Sequence, residues 1–262
     1  MLRAERNMRL ISLNCWGGRA LYPLMRFFAH HASSTDIFCL QEIFDTDQEA
    51  LDRSHPGEYL CASLFPKLSA VLPEFVGAFA KFDENPQRQT LAMFVHRRVP
   101  VRVIEDFVVH EPDQPQETGS AVHSSRKLQY ATIDLDGHDF TVANFHGLWN
   151  GGGKMDTPER LRQSAEVKRF LDARPGPRLL CGDFNLLPDT QSVAVLEQGM
   201  NNLVKEYRLT STRTPLYRNY QQPDASLFAD YVLVSPEVQI QKFAVLPDLV
   251  SDHAALATEF SL

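Results

Sequence analysis

The stretch Leu179-Leu180-Cys181-Gly182-Asp183-Phe184-Asn185-Leu186-Leu187-Pro188 runs from apolar residues into a glycine, then offers a carboxylate and a carboxamide two positions apart. Side chains alternate across a strand, so Asp183 and Asn185 are expected to point the same way at its C-terminal end. Gly182 admits a close backbone approach that a bulkier residue would block, and Pro188 ends the strand pattern. Such a pair suits a cation, a water or a phosphate oxygen; a polar turn behind a buried strand is the plainer alternative. Further polar groups stand at the ends of apolar runs: Asn14, Glu42, His146, Asp230 and the pair Asp252-His253. Acids and amides gathered beside a histidine match the needs of metal-assisted phosphate chemistry. Magnesium takes hard oxygen ligands, with one or two carboxylates and the rest from substrate and water. A carboxylate can orient and deprotonate water, and a histidine held by an aspartate can act as acid, base or charge stabiliser.

The elements that must position these groups follow from periodicity. Met8 to Leu13 reads as a buried strand delivering Asn14, and Asp36 to Glu42 as a second. Between them Leu21, Leu24, Met25, Phe28, Ala29 and Ala32 have helical spacing. Strand, helix and strand make a parallel βαβ unit, which puts Asn14 and Glu42 at one sheet edge. Glu42 has a second reading as a helix N-terminal charge, because Asp45 to Arg53 looks helical. Residues 54–89 are broken by Pro56, Pro66, Pro73 and Pro86 into loops and short elements. Thr90 to His96 and Val101 to Val109 read as strands, and Glu111 to Gly119 as a surface loop. Arg126 to Leu135 and His138 to Phe145 alternate around Asp136-Gly137, a hairpin signal because that dipeptide accepts positive φ. Arg126 opens this hairpin and His146 closes it. Thr157-Pro158-Glu159 starts a helix that runs to about Ala173. Gln191 to Gln198 reads as a short helix. Phe228 to Val234 reads as a strand with Val238 to Val245 as its hairpin partner, and Ala254 to Phe260 as a final strand.

Two loops carry candidate substrate contacts. Gly147 to Asp156 holds Trp149 and Lys154 among three consecutive glycines; it lacks the Gly-x4-Gly-Lys-Ser/Thr pattern and reads as a flexible loop leaving His146. Thr210 to Tyr220 interleaves Arg213 and Arg218 with Tyr217 and Tyr220, a mixture that can hold phosphates and stack on a ring. Each has the plainer reading of a connector or a solvated loop.

The 262 residues, 44% hydrophobic, suffice for one large core. Without a repeat or linker, residues 8–262 read as one domain behind a short polar leader, 1–7. The net charge of −7 and the lack of a long basic tract argue against holding bulk nucleic acid by phosphate neutralisation. The apolar runs are too short for a bilayer span, and the polar N-terminus lacks a secretory core. Cys15, Cys39, Cys61 and Cys181 form no Cys-x-x-Cys pair and read as buried free thiols of a cytoplasmic protein.

The ordered set from Leu10-Ile11-Ser12-Leu13-Asn14 through Gly182-Asp183-Phe184-Asn185 to Ser251-Asp252-His253 resembles the endonuclease/exonuclease/phosphatase superfamily over nearly the whole chain. The resemblance implies a DNase I-like four-layer α/β sandwich: two central mixed β-sheets flanked by helices. It implies Glu42 as principal metal ligand, with Asn14 beside it and Asp252 at the metal edge. Asp183 would align or deprotonate the attacking water, Asn185 would hold the phosphate, and His146 would stabilise phosphoryl charge. Asp230 would orient His253 onto the phosphate, and Arg126 matches a strand-start arginine of many members. The implied reaction is in-line attack of water on phosphorus with one or two Mg2+ or Mn2+ ions. Within that family the acidic chain departs from the DNA-repair members, and Leu186-Leu187 replace the aromatic and basic residues of inositol phosphatases. A small phosphodiester or phosphomonoester remains, or a short nucleic-acid end, with no membrane and no obligate protein partner evident. Trp149, Lys154, Arg213, Tyr217 and Arg218 are the candidates for holding it. A non-catalytic binding module is one alternative. Another is a zinc hydrolase using His30, His31, His110, His123 or His138, which lack ligand spacing on a common element.

Overall fold

A computed structural model of the chain describes residues 7–47, 59–82, 88–112, 124–151, 153–223 and 226–262. The strands are β1 (Met8–Asn14), β2 (Ile37–Ile43), β3 (Phe75–Phe79), β4 (Thr90–His96), β5 (Val101–His110), β6 (Arg126–Leu135), β7 (His138–His146), β8 (Arg178–Asp183), β9 (Asn201–Asn202), β10 (Asp230–Val234), β11 (Gln239–Val245) and β12 (Leu256–Ser261). The helices are α1 (Leu21–His31), α2 (Leu64–Val71), α3 (Pro158–Asp172), α4 (Gln191–Glu197) and α5 (Leu203–Glu206). They form two six-stranded sheets, ordered β11-β12-β1-β2-β4-β3 and β5-β6-β7-β8-β10-β9, flanked by helices. This is the expected α/β sandwich.

Burial explains the unbroken apolar runs of the inner strands. On β1 and β2, Met8, Leu10, Ile37 and Cys39 face the second sheet, while Ile11, Leu13, Phe38 and Leu40 join Leu24 and Phe28 of α1 and Leu64 and Leu68 of α2. Strands covered on both faces read as continuous hydrophobic sequence. On the second sheet, Val167 and Leu171 of α3 complete the core. All four cysteines are buried and free. Among the described residues no helix is long and apolar enough to cross a membrane.

Each sheet contains one parallel pair, and these pairs place the site. In β1/β2, Asn14 lies opposite Gln41, next to Glu42. In β7/β8, His146 lies opposite Asp183. Strand β10 runs antiparallel to β8 and starts with Asp230 opposite Asp183. Beneath this edge a buried amide chain ties the sheets. Gln41 Nε2 donates to Asn144 Oδ1 at 2.7 Å, and Asn144 Nδ2 donates to the Leu40 and Ala92 carbonyls at 3.0 and 3.2 Å. The β6–β7 hairpin turns at Asp136 and Gly137 with φ of 55° and 90°, the positive pair that Asp-Gly accepts.

Several expectations change. Val238 to Val245 is not the hairpin partner of β10. Both edges of β10 are taken, by β8 and β9, and β11 crosses to the other sheet to pair with β12. Within 54–89 the chain forms α2 and β3. Pro66 falls in the first turn of α2, where a proline removes no helical hydrogen bond. The short elements β9 and α5 gave no periodic signal. Of the helix expected over Asp45 to Arg53, residues 45–47 are not helical and the rest lies outside the described residues, as does most of the Glu111 to Gly119 loop.

Candidate active site

At the common edge, the first sheet presents Asn14 and Glu42, and the second presents Arg126, His146, Asp183 and Asp230. Asn14, fully buried, joins them: Nδ2 donates to Glu42 Oε1 at 3.1 Å and to Asp183 Oδ2 at 2.9 Å, while Oδ1 accepts the Trp16 N–H at 2.9 Å. Glu42 sits at a break in the β2–β4 register with φ of 58°, which turns its carboxylate out of the strand alternation toward the second sheet. A positive φ in a non-glycine residue is a strained state held by its surroundings.

Asp183 is the centre of charge. His146 Nε2 and His253 Nε2 lie 3.7 and 3.6 Å from its Oδ2. Burial pushes its pKa up, but the attraction of His253, His146, Arg213 and Lys154 outweighs burial and holds the carboxyl well below its usual range. Asn185 reaches the same place by another route than expected. Strand β8 ends at Asp183, and Asn185 is left-handed with φ of 54°. Its N–H donates to Asp183 Oδ1 at 2.9 Å and its Nδ2 to the Gly147 carbonyl at 3.3 Å. The pair is therefore joined by a local turn and not by strand alternation. Gly182 has the expected role: a Cβ there would lie 1.9 Å from the Phe145 carbonyl oxygen.

Asp230 and His253 form a buried dyad. His253 Nδ1 lies 3.0 and 2.9 Å from the two Asp230 carboxylate oxygens, so with its proton on that side the ring turns Nε2 toward Asp183. Burial and Arg213 lower the His253 pKa; Asp230, Asp183 and Asp252 prevail and raise it. His146 behaves oppositely: burial and Arg126 push its pKa down to about 3, so it is neutral near pH 7. The neighbouring Asp252 accepts from Arg213 Nη1 at 2.8 Å, and its other oxygen, Oδ1, is buried without a hydrogen-bond partner.

The donor set fits a divalent cation. Among the described residues, Glu42, His146 and Asp183 offer ligand atoms within 4.8 Å of one another, and so do Asp183, Asp230 and His253. Asp252 belongs to neither group, but its orphaned oxygen needs a partner. Burial also raises the Glu42 pKa, marking a carboxylate whose charge is incompletely compensated. Among the described residues, neither group includes a histidine of the zinc alternative. His31 pairs with Asp248, the His30 ring packs on it, and His138 begins β7 at the end opposite His146. His110 pairs with Arg126 in the β5–β6 register, and His123 lies outside the described residues.

Among the substrate candidates, Arg126, Lys154 and Arg213 are buried around the acids. Lys154 Nζ donates to the Phe228 carbonyl at 2.7 Å. Arg213 stacks on the Tyr217 ring at 4.6 Å, so that ring face is already occupied. Trp149 is half-buried, and Arg218 is exposed. Within the Gly147 to Asp156 segment, expected as a flexible loop, the carbonyls of Leu148, Gly153 and Met155 accept from Arg160. Sequence reading assigned no role to Arg160, Thr212 or Ser251. Thr212 Oγ1 accepts the N–H groups of Ala229 and Asp230 at 3.0 and 3.2 Å, and Ser251 Oγ accepts the His253 N–H at 3.1 Å. Ser251 had a legible signal, a hydroxyl two positions before the residue it bonds. Thr212 and Arg160 had none, because the main-chain groups they bond lie outside any local turn pattern.

The sequence pattern of the Endonuclease/Exonuclease/phosphatase family matches residues 11–253, and the chain belongs to that family, whose members are hydrolases acting on phosphoesters. Solved structures share the fold at low identity. The mannosyl-6-phosphatase Bt3783 of Bacteroides thetaiotaomicron VPI-5482 is 18% identical, with a TM-score of 0.72 over 97% of this chain and 100% of that one. TDP2 of D. rerio, in complex with a single-strand DNA product, is 16% identical with a TM-score of 0.72 over 98% and 100%. The human Nocturnin catalytic domain with bound sulfate is 17% identical with a TM-score of 0.64 over 98% and 96%. No curated protein matches the chain in sequence.

Proposed function

We propose that this chain is a Mg2+- or Mn2+-dependent phosphoric ester hydrolase in which water attacks phosphorus in line with the leaving group. The observation that carries the reading is Asp183. It is a buried anion within 4 Å of two imidazoles, joined through Asn14 to the Glu42 carboxylate of the other sheet. Asp183 orients the water and takes its proton. His253, held by Asp230, donates from Nε2 to a phosphoryl oxygen. Neutral His146 donates a hydrogen bond to another, and Asn185 fixes the Asp183 carboxylate and faces the phosphate. Glu42, Asn14 and Asp252 would hold the metal, which when bound supplies charge neutralisation to the phosphoryl group. Lys154, Arg213 and Arg126 contribute positive charge around the ester. In a chain of net charge −7 these few cations suit a small phosphomonoester or diester, or a short nucleic-acid end, better than a duplex.

The test is hydrolysis of bis-p-nitrophenyl phosphate and p-nitrophenyl phosphate with Mg2+ or Mn2+ and with chelator, for the wild type and Asp183→Asn. Metal-dependent cleavage is expected, reduced ~10²–10⁴-fold in the variant, as for loss of a positioned base. The better ester separates diesterase from monoesterase. Metal-independent turnover, or an Asp183→Asn variant as fast as the wild type, would refute the assignment. Silence on both esters and on short oligonucleotides, in a folded metal-binding protein, would favour a binding module.

A further inference from the structure

Arg160 lies in the first turn of α3 and is only 1% exposed. Its guanidinium hydrogen bonds end on main chain. Nε donates to the Leu148 carbonyl at 3.2 Å, Nη2 to Gly153 at 2.7 Å, and Nη1 to Met155 at 2.5 Å. Two of these carbonyls bracket Lys154. The same segment is pinned from other sides. The Leu148 N–H donates to Gln163 Oε1 at 2.9 Å, the Leu187 N–H donates to the Lys154 carbonyl at 3.0 Å, and Asp156 accepts the Gln191 and Ser192 N–H groups of α4 at 2.7 and 2.8 Å. At the end of this scaffold, the Lys154 ammonium is buried on the Phe228 carbonyl, two residues before Asp230.

We propose that Arg160 is a positioning residue that acts through Lys154. A glycine-rich segment has many accessible backbone states, and Gly151 and Gly153 both adopt positive φ here, at 74° and 76°. Its carbonyls are beyond the reach of sheet or helix ladders, and buried carbonyls need donors. Arg160 supplies a planar fork of fixed geometry to three of them at once, which a lysine cannot. The guanidinium takes the place of secondary structure, so that a flexible sequence delivers one ammonium to one place. The backbone part of this proposal stands on the hydrogen bonds alone. The consequence for substrate rests on the phosphoesterase reading above.

The test compares wild type, Arg160→Met, Arg160→Lys, Lys154→Met and the Arg160→Met/Lys154→Met double variant. Acylation of Lys154 by acetic anhydride, read by peptide mass spectrometry, is expected to be slow in the wild type. It is expected to be at least tenfold faster in Arg160→Met, with faster amide exchange confined to residues 147–156. Arg160→Lys, reaching fewer carbonyls, should fall between them, and it carries the test alone if Arg160→Met fails to fold. On p-nitrophenyl esters, Arg160→Met and Lys154→Met should each raise KM with a smaller change in kcat, and the double variant should be no worse than Lys154→Met. Unchanged Lys154 acylation in both Arg160 variants overturns the proposal whatever the turnover. Additive losses in the double variant overturn it too, by showing that Arg160 does not act through Lys154. A wild type that cleaves no ester counts against the phosphoesterase reading and leaves acylation and exchange to decide this one.

Discussion

At the residue scale, the site is a small number of charges whose protonation is set by their neighbours. Burial, aided by Arg213, pushes the Lys154 ammonium down to about 8. The protonated form attracts phosphate, so its contribution is present below that pH and is lost as pH rises through it. KM for a phosphate ester is expected to climb above about pH 8, with kcat less affected, and Lys154→Arg should move the climb to higher pH because a guanidinium keeps its proton. A wild-type KM that stays flat well above that pH would remove Lys154 from substrate binding. Gly182 gives a purely steric expectation. With φ of 136° and a Cβ position 1.9 Å from the Phe145 carbonyl oxygen, Gly182→Ala must part β7 from β8 beneath Asp183. Expression of Gly182→Ala with a wild-type melting temperature would contradict that packing. The polar residues at strand ends were legible because an apolar run beside them announced the strand. The means by which Asn185 reaches Asp183 was not, since alternation says nothing once the strand has stopped. Arg160 was invisible for a different reason: its partners are backbone carbonyls, which every sequence possesses.

At the element scale, legibility followed the distance over which an element is specified. The β6–β7 hairpin is encoded by two turn residues and two alternating strands, and it forms where that pattern puts it. Helix α3 is encoded by Thr157 and Pro158, with the Thr157 hydroxyl accepting the Arg160 N–H at 3.4 Å. Thr157→Ala is expected to cost ~1 kcal/mol of stability, a typical value for a lost N-cap, measurable as a shifted denaturant midpoint at constant slope. An unchanged midpoint would mean that proline at the first turn suffices. Helix α2 was hidden because proline count suggested breakage, whereas proline position within the first turn permits a helix. The partner of β11 was hidden because adjacency in sequence favours a hairpin, and only the occupied edges of β10 forbid it.

At the scale of the whole molecule, the two sheets must meet in one register for Asn14 and Glu42 to reach Asp183. The amide chain through Gln41 and Asn144 lies one layer under that meeting point. Asn144→Leu would leave the Leu40 and Ala92 carbonyls buried without that donor, at a cost of ~1–3 kcal/mol each. The expected result is a melting temperature lower by ~2–4 °C per kcal/mol, together with weaker divalent-metal binding from the displaced sheets. A destabilised variant with unaltered metal affinity would show that sheet spacing is fixed elsewhere. The family resemblance was legible across this whole scale, because its motifs stand in order along the chain, and the family pattern spans residues 11–253. The pairing of sheets was not, since inter-sheet contacts join positions far apart in sequence.

The strand order also dictates a timetable for synthesis. The second sheet is one uninterrupted stretch, β5 to β10, inserted between the two parts of the first. Strand β1 takes β12 as its antiparallel neighbour, so one flank of β1 stays open on the ribosome until Leu256–Ser261 has been translated. At ~5–20 residues per second that interval is on the order of ten seconds to a minute. His253 emerges after every other group of the candidate site. A nascent chain therefore carries Glu42, His146 and Asp183 without the His253 imidazole, and on the proposed phosphoesterase reading turnover waits for closure of the first sheet.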